Sequence, residues 1–221
     1  MAGTITALVA QKKNKDRVSV FLDGKFAFGL AAIEAIKLKR GQVLSDADIE
    51  RLRERDSVEK AHERALHFLS FRPRSEAEVR RNLQDGKFAP EMIERAVERL
   101  KQAGLVDDRA FGQYWLENRG QFSPRSARAL KHELRQKGVD PAWIDAALQA
   151  VGHDEGEAAF QAALPRARKL AHLEAQEFRQ KLGAYLGRRG FTYEVASDAV
   201  RRAWQALHSQ PPDSSFDDTE D

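Results

Sequence analysis

The feature that most constrains this chain is an internal repeat. Pro73-Arg74-Ser75 recurs as Pro124-Arg125-Ser126, an offset of 51 residues. The same offset lays Leu83 on Leu134, Phe88 on Val139, Pro90 on Pro141 and Ile93 on Ile144. An offset of 52 carries Leu134 to Leu186, Gly138 to Gly190 and Val139 to Phe191. A period of about 50 residues marks units that bury too little core singly and must stack on their neighbours. Apolar spacing of three to four from Ser57 to Leu207 makes the units helical. The spacing predicts helices over 57–71, 75–85 and 90–103, then 107–119, 124–137 and 141–151, then 154–170, 174–188 and 192–208. Pro90 and Pro141 fall at helix starts, where a missing N–H costs nothing. Gly138 and Gly190 fall past helix ends, where the backbone turns left-handed. The expected fold is mainly α: three-helix repeats over 57–106, 107–152 and 153–208, in an elongated curved solenoid.

Residues 1–56 read differently, as a strand-rich extension with a linker helix. Thr4–Val9 and Arg17–Leu22 alternate apolar or β-branched residues with polar ones. Asp23-Gly24 and Lys25-Phe26-Ala27-Phe28 follow, and a DG pair between such segments signals a type I′ hairpin. Three short strands are expected, with Lys12, Lys13, Asn14 and Lys15 in the first turn. Short helical segments should start near Ala31 and Ser45, where Ser45 and Asp48 form a capping-box pattern. Residues 209–221 hold proline, serine and acids and should form a disordered acidic tail.

The search for chemistry is mostly one of exclusions. Without cysteine there is no disulfide, thiol nucleophile or thiolate metal site. His62, His67, His132, His153, His172 and His208 make no zincin pattern, and neither a phosphate loop nor a GxSxG elbow is present. Asp107-Asp108 stands just before a helix, so N-capping outweighs metal binding. No apolar run approaches the roughly 20 residues of a membrane span. The first fifteen residues lack the order of a signal peptide, since their charges follow the apolar stretch. A cytoplasmic, non-enzymatic chain without metal or cofactor is expected.

Charge carries more. The net +3 conceals an asymmetry, because the last eleven residues hold five acids and no base. Without them 37 basic residues face 29 acidic ones, a net +8. Arg125, Arg128, Lys131 and Arg135 step by three, three and four beside the apolar Ala127, Leu130 and Leu134. Residues 124–138 sum to +4 and residues 164–190 to +5. With Arg72, Arg74, Arg81, Lys137, Arg166, Arg168, Lys169, Arg188, Arg189, Arg201 and Arg202, they form the candidate binding set. One such run is ordinarily a solvated face. Recurrence in stacked units would align a basic track suited to phosphate backbone or an acidic protein groove. The acidic tail would act as an internal competitor for that track. Phe68, Phe71, Phe111, Tyr114, Trp115, Trp143 and Trp204 mostly fall at core spacing.

The stretch ALHFLSFRPRSEAEVRRNL, the later GLVDDRAFGQYW and then SPRSARALKHELRQKGVD together resemble the RecX family, bacterial regulators of the RecA recombinase. The match spans about 57–207. The third repeat departs from the pattern, with Gly187 and Arg188-Arg189-Gly190 where the second has Arg135-Gln136-Lys137-Gly138. The resemblance implies tandem three-helix repeats and no catalytic residues. It implies binding within the groove of the RecA–DNA filament, with inhibition of filament growth, ATP hydrolysis, strand exchange and co-protease activity. Single- and double-stranded DNA would be weaker, electrostatic partners; no membrane is expected, and the chain should be a monomer. The alternative is a general DNA- or RNA-binding helical-repeat protein without RecA specificity. A metal-dependent nuclease using Asp107 and Asp108 is the poorest reading.

Overall fold

The computed structural model describes residues 2–12 and 14–208 of the 221. Lys13 and the expected acidic tail lie outside the described residues. Two compact units divide after Asp108.

The first unit opens with an antiparallel sheet of β1 (Gly3–Ala10), β2 (Arg17–Leu22), β3 (Lys25–Ala31) and β4 (Val43–Leu44), ordered β3-β2-β1-β4. Asp23 and Gly24 have φ of 48° and 81°, the two left-handed residues that a type I′ turn demands. β4 has only two residues, too few to show alternation in sequence. The sheet buries Ile5, Val20, Leu22, Phe28 and Leu30 against Ile49 and Leu52.

A short α1 (Ala32–Ala35) precedes α2 (Asp46–Leu69). Ser45 caps α2, with the reciprocal Ser45–Asp48 bonds in place. The separate helices expected from Ser45 and from residue 57 are one helix of 24 residues. Neither glycine nor proline interrupts 46–69. Asp56, which could have capped a new start, is 3% exposed and engaged elsewhere. Its carboxylate accepts from the Arg17 guanidinium at 2.9 and 3.0 Å and from the Ala31 N–H at 2.9 Å. That contact rivets the sheet to α2.

The repeats follow as expected. The first joins the C-terminal part of α2 to α3 (Glu76–Asp85) and α4 (Pro90–Gln102) around Val79, Leu83, Ile93, Val97 and Leu100. The second is α5 (Asp108–Phe122), α6 (Ala127–Gln136) and α7 (Pro141–Ala150) around Phe111, Leu130, Leu134, Ile144 and Leu148. The third is α8 (Glu155–Leu170), α9 (Ala175–Arg188) and α10 (Tyr193–His208) around Phe178, Leu182, Leu186, Phe191 and Val200. Pro90 and Pro141 open their helices. The place after the second helix of each repeat is left-handed, with φ of 60° at Lys87, 81° at Gly138 and 93° at Gly190. Gly190 also permits close approach, since a Cβ there would lie 2.4 Å from Ser126 Oγ.

Two expectations need correction. Phe71 is 70% exposed instead of core, because it lies past the end of α2, edge-on to His67, and Trp143 is 37% exposed, its ring meeting the Arg109 guanidinium at 4.6 Å. Asp108 does cap a helix, but the helix is α3: its Oδ1 accepts the Glu76 N–H at 2.8 Å. Burial raises the Asp108 pKa above the usual carboxylate value, and that N–H opposes the rise. The same device recurs one repeat later, where Glu155 Oε2 accepts the Ala127 N–H at 2.9 Å. In both cases the first N–H of a repeat's second helix is satisfied by an acid at the head of the next repeat.

Candidate nucleic-acid and partner interface

A basic side chain neutralises phosphate or an acidic surface most readily when it is exposed and no carboxylate of its own chain pairs with it. The structure divides the candidate set by that criterion.

On α6, Arg128, Lys131 and Arg135 share a face, since positions seven apart return to within about 20°. Arg128 and Arg135 are exposed. Lys131 lies between them and holds Asp145 of α7 at 2.7 Å, a bond that lowers the Asp145 pKa. Arg135 adds a weaker field at the same carboxylate. Arg125 does not join this face. It sits in the extended turn before the Ser126 cap and pairs with Glu133 at 3.0 Å. Glu133 also accepts from Arg119 and from the Trp115 indole, both at 2.9 Å. The expected stripe of four is therefore three residues on one face and one turned into a polar cluster.

Several other candidates hold the fold. Arg72 makes a two-pronged pair with Glu78, at 2.9 and 3.1 Å. The Arg74 guanidinium lies 3.9 Å over the Phe68 ring. Lys137 stands 4.2 Å over Trp115. Arg189 donates to the Pro124 carbonyl at 2.9 Å and to Ser123 Oγ at 3.2 Å, tying the end of α9 to the turn before α6. Arg201 pairs with Asp198. Arg202 holds Glu157 at 2.8 Å and covers Phe160.

The rest are exposed, and no ion pair among the described residues involves them: Arg81 on α3, Arg166, Arg168 and Lys169 at the end of α8, and Arg188 at the end of α9. Cations in a last helical turn also complement the helix dipole. Arg95 on α4 and Arg179 on α9 are likewise exposed but stood outside the candidate set. Arg95 is flanked by Glu91, Glu94 and Glu98, so no basic run marks it.

Among the described residues, no group of three or more His, Asp or Glu could hold a metal ion. No helix among them is long and apolar enough to cross a membrane.

The architecture is that of a tandem three-helix repeat protein with a small N-terminal sheet. Family models match in order along the chain: the "Regulatory protein RecX N-terminal domain" over 3–45, and the RecX first, second and third three-helix domains over 61–100, 107–148 and 154–200. Regulatory protein RecX of Bacillus subtilis (strain 168) is 33% identical over 89% of this chain and 75% of its own. That of Bacillus licheniformis is 34% identical over 89% and 76%. A solved structure of regulatory protein RecX matches with TM-score 0.67 and 28% identity, over 87% of this chain and 96% of that one. RecX from Lactobacillus salivarius, 21% identical, shares the fold with TM-score 0.55 over 67% and 97%. The chain belongs to the RecX family.

Proposed function

We propose that this protein regulates the RecA recombinase by binding within the groove of the RecA–DNA filament. There it checks filament growth and, with it, ATP hydrolysis, strand exchange and co-protease activity. Family membership supports the regulatory role. The observation that carries the binding mode is the pair Arg128 and Arg135, exposed on one face of α6. Arg166, Arg168, Lys169 and Arg188 add charge that no ion pair among the described residues consumes. Such cations release counterions from a phosphate backbone and give affinity and register more than base sequence.

The test is RecA's DNA-dependent ATP hydrolysis, with the protein added before and after filament assembly. Loss of hydrolysis at substoichiometric protein is expected. R128Q/R135Q should weaken that inhibition about tenfold and lower the salt slope of DNA binding by about 2. Full inhibition by the double variant would remove the α6 face from the interface. Ordinary DNA binding with no effect on RecA would instead favour a general helical-repeat nucleic-acid binder.

A further inference from the structure

The third repeat departs from the other two along the seam between its second and third helices. In the first, Arg80 on α3 reaches Glu94 on α4 at 2.7 and 3.0 Å. In the second, Lys131 on α6 holds Asp145 on α7 at 2.7 Å. The 51-residue offset makes these the same two positions. Carried forward by 52, they become Gly183 on α9 and Ser197 on α10, which cannot form an ion pair. In the second repeat the cleft at this seam measures about 530 Å³ and extends from Lys131 and Asp145 toward His153. In the third it measures about 810 Å³ and continues past Gly183 and Ser197 to Phe191 and Tyr193. Trp204 and Val200 also line it, and Tyr193 is 87% exposed. Arg179 stands at its rim with Arg201, which already pairs with Asp198, and among the described residues no carboxylate lines it.

We propose that this groove seats the chain's own acidic segment, residues 211–221, with Phe216 against the aromatic lining and the carboxylates beside Arg179. The segment holds five acids, no base and one aromatic residue, complementary to an apolar groove with a cationic rim. The wall helix α10 ends at His208, whose ring stacks on Trp204 at 3.9 Å, so the chain leaves α10 at the groove's own end. Phe216 follows eight residues later, a reach of up to about 26 Å. The whole of α10, 16 residues, is about 24 Å long. A tethered segment of this kind competes at an effective concentration of about a millimolar.

The probe is a fluorescent synthetic peptide of residues 209–221, titrated into the full chain and into a tail variant carrying D213S, F216A, D217S, D218S, E220S and D221S. The tail variant should bind the peptide at least tenfold more tightly than the full chain, whose own segment fills the groove. An F216A peptide, which keeps every acid, should lose at least tenfold. Adding Gly183→Lys and Ser197→Asp to the tail variant rebuilds the second repeat's ion pair; nothing lies within 4 Å of a Cβ at Gly183, so the fold accepts it. That closed variant should keep its melting temperature and lose the peptide. Equal binding to the full chain and the tail variant would overturn the proposal and leave the groove to another protein's segment. Equal binding by the F216A peptide would reduce the effect to bulk charge, and binding untouched by the closing pair would place it elsewhere. Either result, or no binding at all, also overturns it.

Discussion

The second and third repeats pack equivalent leucines at equivalent places, yet they finish the seam above those leucines in opposite ways. Leu130 and Leu134 are buried as Leu182 and Leu186 are. One position further along, Lys131 bridges to Asp145, whereas Gly183 faces Ser197. Burial therefore holds the period, because removing a core methyl group leaves a cavity. A half-exposed ion pair is worth little in stability, on the order of 1 kcal/mol or less, so the seam positions are free to diverge into different surfaces.

The comparison breaks first if the buried positions are not equivalent. Leu134→Ala and Leu186→Ala, both fully buried, should each cost about 2–5 kcal/mol by urea denaturation. A loss below about 1 kcal/mol in either would mean that repeat is loosely packed. Gly138→Ala and Gly190→Ala sharpen the contrast next. Both impose left-handed strain of about 1–2 kcal/mol. Gly190→Ala also drives a Cβ into Ser126 Oγ, so it should cost more than that strain alone, and a loss no greater than about 2 kcal/mol would mean the turn simply shifts away. Lys87→Gly carries the comparison to the first repeat. It places the residue suited to φ 60° where lysine now stands and should stabilise by about 0.5–1 kcal/mol. Destabilisation would show that the lysine side chain contributes there.

The smallest effect belongs to His62 on α2. Burial, then the charge of Arg99, lowers its pKa below the usual 6.5, against the pull of Glu59. The unfolded chain therefore takes up this proton first as pH falls. Stability should decline from about pH 7.5 downward through 6.5, toward the lower folded value. His62→Gln should flatten that decline; identical urea midpoints for the two chains at both pH 7.5 and 5.5 would dismiss the effect.

Much of the fold was legible because its signals are local. The proline starts, the glycine ends, the Asp-Gly turn and the Ser45 cap each act within a few residues. The long α2 was not, because Asp56 finds Arg17, 39 positions away, and so never caps a new helix. The candidate interface was legible as charge but not as available charge. Nothing near Arg189 in sequence announces that it serves the Pro124 carbonyl, 65 residues distant. Arg128 and Arg125 look alike in the chain. They separate only when the Ser126 cap leaves Arg125 in the turn, beside Glu133.

The carboxylates of Asp108 and Glu155 suggest how an array of this kind could lengthen. Each finishes a helix that belongs to the repeat before it, so the boundary between repeats carries a chemical debt settled by the newcomer. A duplicated repeat inserted into the series would inherit both sides of that arrangement, donor and acid, and join without new invention. A repeat lacking an acid at its head would leave a backbone N–H unanswered at the joint. Growth by copying whole periods is therefore favoured over growth by patching unrelated helices onto the end.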